Sequence, residues 1–321
     1  MQTRRLVPLF LAASSWCFAS AIANPALTGL TVTNLGSPAS PEGAYYYTAL
    51  DFLNDSTLLL AVGNPAGESQ TETIYSMAVG RDSSGVITSL GAATPDFSVT
   101  VSTGAVYSNI VAGGLTDAPD GSILYDTKSL GYVGDYAGGT SEVSAMAGLF
   151  GGLGYVPADG SDQLLLSTTA GTWYDLTYAG GAVSLGTGFN LGIAADSFAY
   201  FPAGFNSGLT NAGILVGDAA AQAIELYALN PATGLPTGTG INLVTAPSSG
   251  PEGLGYGLAR DPVSGDFLFT GSNNEIYLLG GASLEAATTT PEPGTFALLA
   301  LAGGLWAMGK LRRERQPRGE R

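Results

Sequence analysis

Carboxylates are the only side chains here with the chemistry of general acids, bases or metal ligands in any number. The sequence has no histidine, and its single cysteine, Cys17, lies in an apolar leader. A Ser-His-Asp triad, a Cys-His nucleophile and a His- or Cys-ligated zinc therefore have no parts to be built from in the body of the chain. A Gly-x-Ser-x-Gly elbow and a phosphate-binding loop are both missing. What remains is work that Asp and Glu can do. Two carboxylates flanking a glycosidic bond can hydrolyse it, and Asp51, Asp196 and Glu252, on or beside leading strands of a repeat, are the candidates. No spacing selects a pair among them, so no residue is given a catalytic role. Oxygen ligands also suit Ca²⁺, and acids cluster in turns at Asp117 and Asp120, Asp159 and Asp162, and Asp261 and Asp266. None of these matches a calcium-loop pattern, and turn chemistry accounts for Asp-Gly and Asp-x-x-Ser-Gly strings. No metal site or cofactor is assigned; calcium is the one ion these acids could hold. Tyr45-Tyr46-Tyr47, Trp173-Tyr174 and the Tyr132/Tyr136 pair could stack on sugar rings or fill a core.

Charge narrows the partners. Between residues 24 and 290 only Arg81, Lys128 and Arg260 are basic, against 23 Asp and Glu. Such a body repels nucleic acid and anionic lipid. Cations, neutral glycans and other surface polymers remain as partners.

The elements that must position these residues read as β. The 47 glycines disfavour helices, and 45% apolar content can bury a core. Several segments share one order: an aromatic or apolar leading strand, an Asp/Asn/Gly/Ser turn, a strongly apolar strand, then a strand ending near Tyr. The apolar strands centre near residues 59, 124, 165, 215 and 268, at spacings of 65, 41, 50 and 53 residues. Four-stranded propeller blades repeat at about 40–50 residues. The wide first gap has room for a degenerate blade around 97–101 and 106–111. Residues 27–35 can form a strand closing the ring against the last blade. An all-β propeller of five to seven blades, six preferred, is predicted, with a β-sandwich as the alternative.

The two ends are of another kind. Arg4 and Arg5 precede an apolar run at 6–18, and Ala21-Ile22-Ala23 provides a small-x-small cleavage site, so residues 1–23 read as a secretory signal. The exported body then spans 24–285. Residues 286–294 form a linker holding Pro291-Glu292-Pro293, whose prolines keep it extended. Residues 295–311 are predicted to form a short membrane helix, and 312–321 a basic cytoplasmic tail.

That tail resembles the PEP-CTERM sorting signal of Gram-negative bacteria that make exopolysaccharide. The likeness rests on Pro291, Glu292 and Pro293, the apolar run, and the stop formed by Lys310, Arg312, Arg313 and Arg315. It implies the export machinery and exosortase as partners, with exopolysaccharide of the biofilm matrix as a further one. It also implies a transient inner-membrane anchor, then a place on the cell surface, in the outer envelope or outside the cell. In the body, Pro251-Glu252-Gly253-Leu254-Gly255-Tyr256 and Asn230-Pro231-Ala232-Thr233-Gly234 resemble strings of NHL/SMP-30-like six-bladed propellers. A non-enzymatic binding or structural role is expected, with a carboxylate-based propeller hydrolase as the alternative.

Overall fold

The computed structural model describes most of residues 22–281; residues 1–21, 282–321 and internal stretches, chiefly 39–45, 64–70, 101–110, 128–131, 136–138, 143–149 and 247–253, lie outside it. Every regular element among the described residues is a strand. After β1 (Ile22–Ala23) and β2 (Thr31–Gly36), the first group is β3 (Tyr46–Asn54), β4 (Thr57–Gly63), β5 (Thr71–Arg81), β6 (Ile87–Leu90) and β7 (Thr94–Thr100). The second is β8 (Val111–Asp117), β9 (Ile123–Thr127), β10 (Tyr132–Asp135) and β11 (Gly139–Glu142). The third is β12 (Phe150–Ala158), β13 (Ser161–Thr168), β14 (Thr172–Ala179) and β15 (Ala182–Asn190). The fourth is β16 (Ser197–Phe201), β17 (Gly213–Asp218), β18 (Ala223–Leu229) and β19 (Pro236–Thr245), and the fifth β20 (Leu254–Arg260), β21 (Phe267–Gly271) and β22 (Ile276–Gly280).

Each group is one antiparallel sheet in sequence order. The leading strands neighbour one another in a closed ring, β3 beside β8, β8 beside β12, β12 beside β16, β16 beside β20, and β20 beside β3. The architecture is a β-propeller, and the sandwich alternative falls because five sheets arranged radially replace two stacked layers. The preferred count of six also falls. Residues 97–100 do not start a further sheet: they lie in β7, which pairs with β5 at Thr71–Ser76. β6 takes the other half of the same strand, at Val79–Arg81. The 11-residue β5 thus carries two partners on one edge, and the rest of the predicted extra blade, residues 101 and 106–110, lies outside the described residues. The closing strand lies where the sequence predicts it. β2 pairs with β22 from Thr31↔Gly280 to Gly36↔Ile276, completing the fifth sheet with a strand from the other end of the body.

The five apolar runs are the second strands of the five sheets, and their side chains fill the seams. Leu124, Leu153, Leu164 and Leu176 pack between the second and third sheets. Leu165, Trp173, Phe198 and Ile214 pack between the third and fourth. Burying one such side chain contributes about 1.5–3 kcal/mol.

Near the axis the packing is of backbone on backbone. A methyl group on Gly113 of β8 would overlap the carbonyl oxygens of Asp196 and Gly151, and one on Gly151 of β12 would overlap that of Ala195. Four leading strands have irregular register: β3 at Tyr47–Ala49 and Phe52–Asn54, and the others between Val111 and Leu115, Phe150 and Leu153, and Leu254 and Leu258. In the last three a buried polar side chain of the second strand fills the irregularity. The Gly114 N–H donates to Asp126 Oδ1 (3.0 Å), Gly152 N–H to Ser167 Oγ (2.9 Å) and Gly257 N–H to Thr270 Oγ1 (2.9 Å). This is why the apolar runs end in Asp-Thr, Ser-Thr and Thr-Gly: an unpaired N–H at the axis would cost about 1–3 kcal/mol.

Candidate functional site

Two arrangements of acids stand out, one buried and one open. Asp51 is on β3 and Asp117 ends β8, so the ring brings them together across the seam of the first and second sheets. Asp51 Oδ2 is enclosed and has no hydrogen-bond partner among the described residues. The Asp51 carboxyl is held well above the usual range, by burial first and then by the Asp117 charge, against the backbone N–H groups of Phe52 and Asp117. Asp117 stands at the exposed lip, and desolvation of its carboxyl raises it to about 6. A third acid, Asp126, is wholly buried; burial pushes it well above its ordinary value, and its Oδ2 also has no hydrogen-bond partner among the described residues.

The open arrangement is a cleft of about 610 Å³ at the seam of the second and third sheets. Tyr155 of β12 and Tyr178 of β14 line it, together with Asp120 from the β8–β9 turn, Asp162 of β13 and Asp175 of β14. Strand register explains most of the grouping: Tyr155 pairs with Leu164, and Leu164 with Leu176, so these side chains, with Asp162 and Tyr178 two residues along, share the sheet face that meets the second sheet, whereas Asp175 pairs with Leu165 on the opposite face. Asp120 is exposed and sits below the usual carboxylate range because the backbone and side chain of Ser122 donate to it. The Tyr178 hydroxyl donates to Ser122 Oγ (3.1 Å), tying the third sheet to the second sheet's turn. Burial raises the Tyr155 phenol, and the Asp120 and Asp162 charges raise it further. Among the described residues no Lys or Arg lines the cleft.

The acids picked from the sequence are distributed differently. Asp51 and Asp196 belong to the first and fourth sheets, which are not neighbours in the ring, and Glu252 lies outside the described residues. No glycosidase-type pair forms from Asp51 and Asp196; Asp51 instead meets Asp117. The Asp261 turn is occupied by protein. Arg81 of β5 grips it with Nη1 on Oδ2 (2.5 Å) and Nη2 on Oδ1 (2.7 Å), and the Ser264 hydroxyl donates to Oδ2 (2.6 Å). Burial works against ionisation there, but Arg81 and Ser264 outweigh it and hold Asp261 below its usual range. Among the described residues no three His, Cys, Asp or Glu side chains form a group able to hold a metal ion.

Of the aromatic candidates, Trp173 and Tyr47 turn inward; Tyr45, Tyr136 and the side chains of Tyr46 and Tyr132 lie outside the described residues. Trp173 is fully buried with Nε1 donating to the Ile193 carbonyl (2.9 Å), and Tyr47 is buried with its hydroxyl on the Pro38 carbonyl (2.7 Å). Tyr155 and Tyr178 take the surface place instead. Their signal in the sequence is two tyrosines on the first and third strands of one repeat, flanked by acids.

Ala23 lies in β1, paired with Val244 of β19. Ala21, the sorting motif Pro291, Glu292 and Pro293, and the stop residues Lys310, Arg312, Arg313 and Arg315 lie outside the described residues, as do the predicted membrane helix and basic tail. No helix among the described residues is long and apolar enough to cross a membrane.

No family model and no curated protein matches the chain. Among solved structures, it is similar to a putative oxidoreductase (glucose dehydrogenase) from Thermus thermophilus, at 16% identity over 78% of this chain and 100% of that one, with a TM-score of 0.43. It is also similar to virginiamycin B lyase from Staphylococcus aureus, at 9% identity over 78% of this chain and 99% of that one, with a TM-score of 0.36.

Proposed function

We propose that this protein is an exported binding propeller, delivered by exosortase through its PEP-CTERM tail to the cell surface or exopolysaccharide matrix, where the Tyr155/Tyr178 cleft engages a surface polymer. The observation that carries the reading is the three-part C-terminal sequence: Pro291-Glu292-Pro293, an uncharged run, then Lys310, Arg312, Arg313 and Arg315. The body supports a binding role, with a closed ring, tyrosines at an open cleft, and neither histidine nor cysteine for nucleophilic chemistry.

Expression in an exosortase-bearing, polysaccharide-producing host tests delivery. The expected result is a product shortened at the C-terminus and found outside the inner membrane. Replacing Pro291-Glu292-Pro293 with three alanines should leave a full-length product in the membrane fraction. Equal processing of both chains would refute the sorting role.

The Asp51–Asp117 pair supports the hydrolase alternative, because one acid raised to about 6 beside a buried one is a proton donor poised near neutrality. A glycosidase and phosphoesterase panel on the purified body separates the readings. Turnover that disappears in Asp117→Asn would replace binding with catalysis.

A further inference from the structure

The cleft has a sign as well as a shape, and the sign says which polymer fits. Two carboxylates, Asp120 and Asp162, stand beside Tyr155 and Tyr178 in a space of about 610 Å³ that no basic side chain among the described residues lines. The hydrogen bonds from Ser122 keep Asp120 ionised at neutral pH, and its charge and that of Asp162 reach the phenol of Tyr155. Among the described residues, Arg81 is committed to Asp261 on another sheet and Arg260 ends β20, so neither neutralises the cleft. A neutral ligand would strip water from the carboxylates with no charge to replace it, which is unfavourable. A cation recovers that loss.

The rings and the polar lining select the body of the ligand. Tyr155 and Tyr178 are half-buried, with Tyr178 held at its hydroxyl by Ser122, so they keep an orientation without the ligand. Phenol rings accept the C–H faces of sugars and attract nearby cations. The Ser122 hydroxyl that holds Tyr178 adds a polar group beside the rings, which ligand hydroxyls can satisfy. The volume falls within the range of about 300–1,000 Å³ usual for small-molecule sites.

We propose that the cleft binds a short oligosaccharide whose rings carry free primary ammonium groups, its charges meeting Asp120 and Asp162 and its rings lying against Tyr155 and Tyr178. This rests on the binding reading given above and names the class of polymer it takes.

The test is calorimetry on the body, residues 24–285, with three probes: the glucosamine trisaccharide, its fully N-acetylated counterpart, and trilysine. The free-amine trisaccharide is expected to bind at least about tenfold more tightly than the acetylated one. Raising salt from about 50 to 300 mM should weaken it several-fold. Asp120→Asn and Asp162→Asn should each weaken it about two- to fivefold, and Tyr155→Ala more. Asp82→Asn, an exposed acid on the first sheet, should change nothing. Unchanged melting temperatures would show that the variants are folded.

Equal binding of the acetylated trisaccharide, or no binding of the free amine, would overturn the proposal. Trilysine binding as tightly as the sugar would overturn it in favour of a basic peptide. Failure here with normal C-terminal processing in the host would leave delivery standing; loss of processing with binding intact would do the reverse.

Discussion

At the scale of single residues, three acids carry more protons folded than unfolded. Asp117 is raised to about 6 from an ordinary 3.8, and Asp51 and Asp126 are raised further by burial. A raised acid favours the fold fully below its unfolded value and loses that contribution as pH rises through its folded value. Stability should therefore fall between about pH 4 and 6.5, and Asp117→Asn should flatten that fall while changing little near pH 4. Thermal melts of both proteins across this range check it; parallel curves would count against the Asp51–Asp117 contact. Asp126 gives a separate prediction. Asp126→Asn keeps an acceptor for the Gly114 N–H and should hold or raise the melting temperature at neutral pH. Asp126→Ala strands that N–H and should cost about 1–3 kcal/mol in urea unfolding. Asp51 could be picked out from the sequence because it lies in a leading strand. Asp117 was legible as a turn acid beside Asp120 but not as the partner of Asp51: the two are 66 positions apart, and only the closure of β3 against β8 makes them neighbours.

At the scale of elements, ring closure depends on two contacts distant in sequence. One is β2 on β22; the other is the Arg81–Asp261 pair, which joins the first sheet to the turn after β20. Arg81→Met leaves an enclosed carboxylate without its counter-charge and should cost about 3 kcal/mol, partly restored by adding Asp261→Asn. Urea midpoints of the single and double variants measure this. Truncation separates the N-terminal strands. A body starting at Asn24 loses only the two-residue β1 and should melt close to one that keeps it. A body starting at Ser37 loses β2, bares the buried strand β22, and should melt far lower or aggregate. The second strands and β2 were legible because unbroken apolar runs and an apolar N-terminal segment are strong signals. The sheet count was not, because spacing cannot reveal that β5 serves two partners. Nor could apolar patterning distinguish Trp173, which faces a core, from Tyr178, which faces a cleft on the same strand.

For the whole molecule, charge and geometry act together. A body with three basic residues and 23 acids should bind poorly to anion-rich surfaces and better to cationic ones, with an affinity that falls as salt rises. Retention on a cation-exchange resin at neutral pH would contradict this. The glycine-packed axis has a further consequence. Because the backbones of β8 and β12 already touch Asp196 and Ala195, no side chain fits between them at that level. The same contact fixes the ring's circumference. A duplicated repeat could be spliced into this gene only if the axial glycines changed with it, since a wider ring would pull those backbones apart and leave a void that glycine cannot fill. The number of sheets is thus set at the hub, by residues that have no side chains.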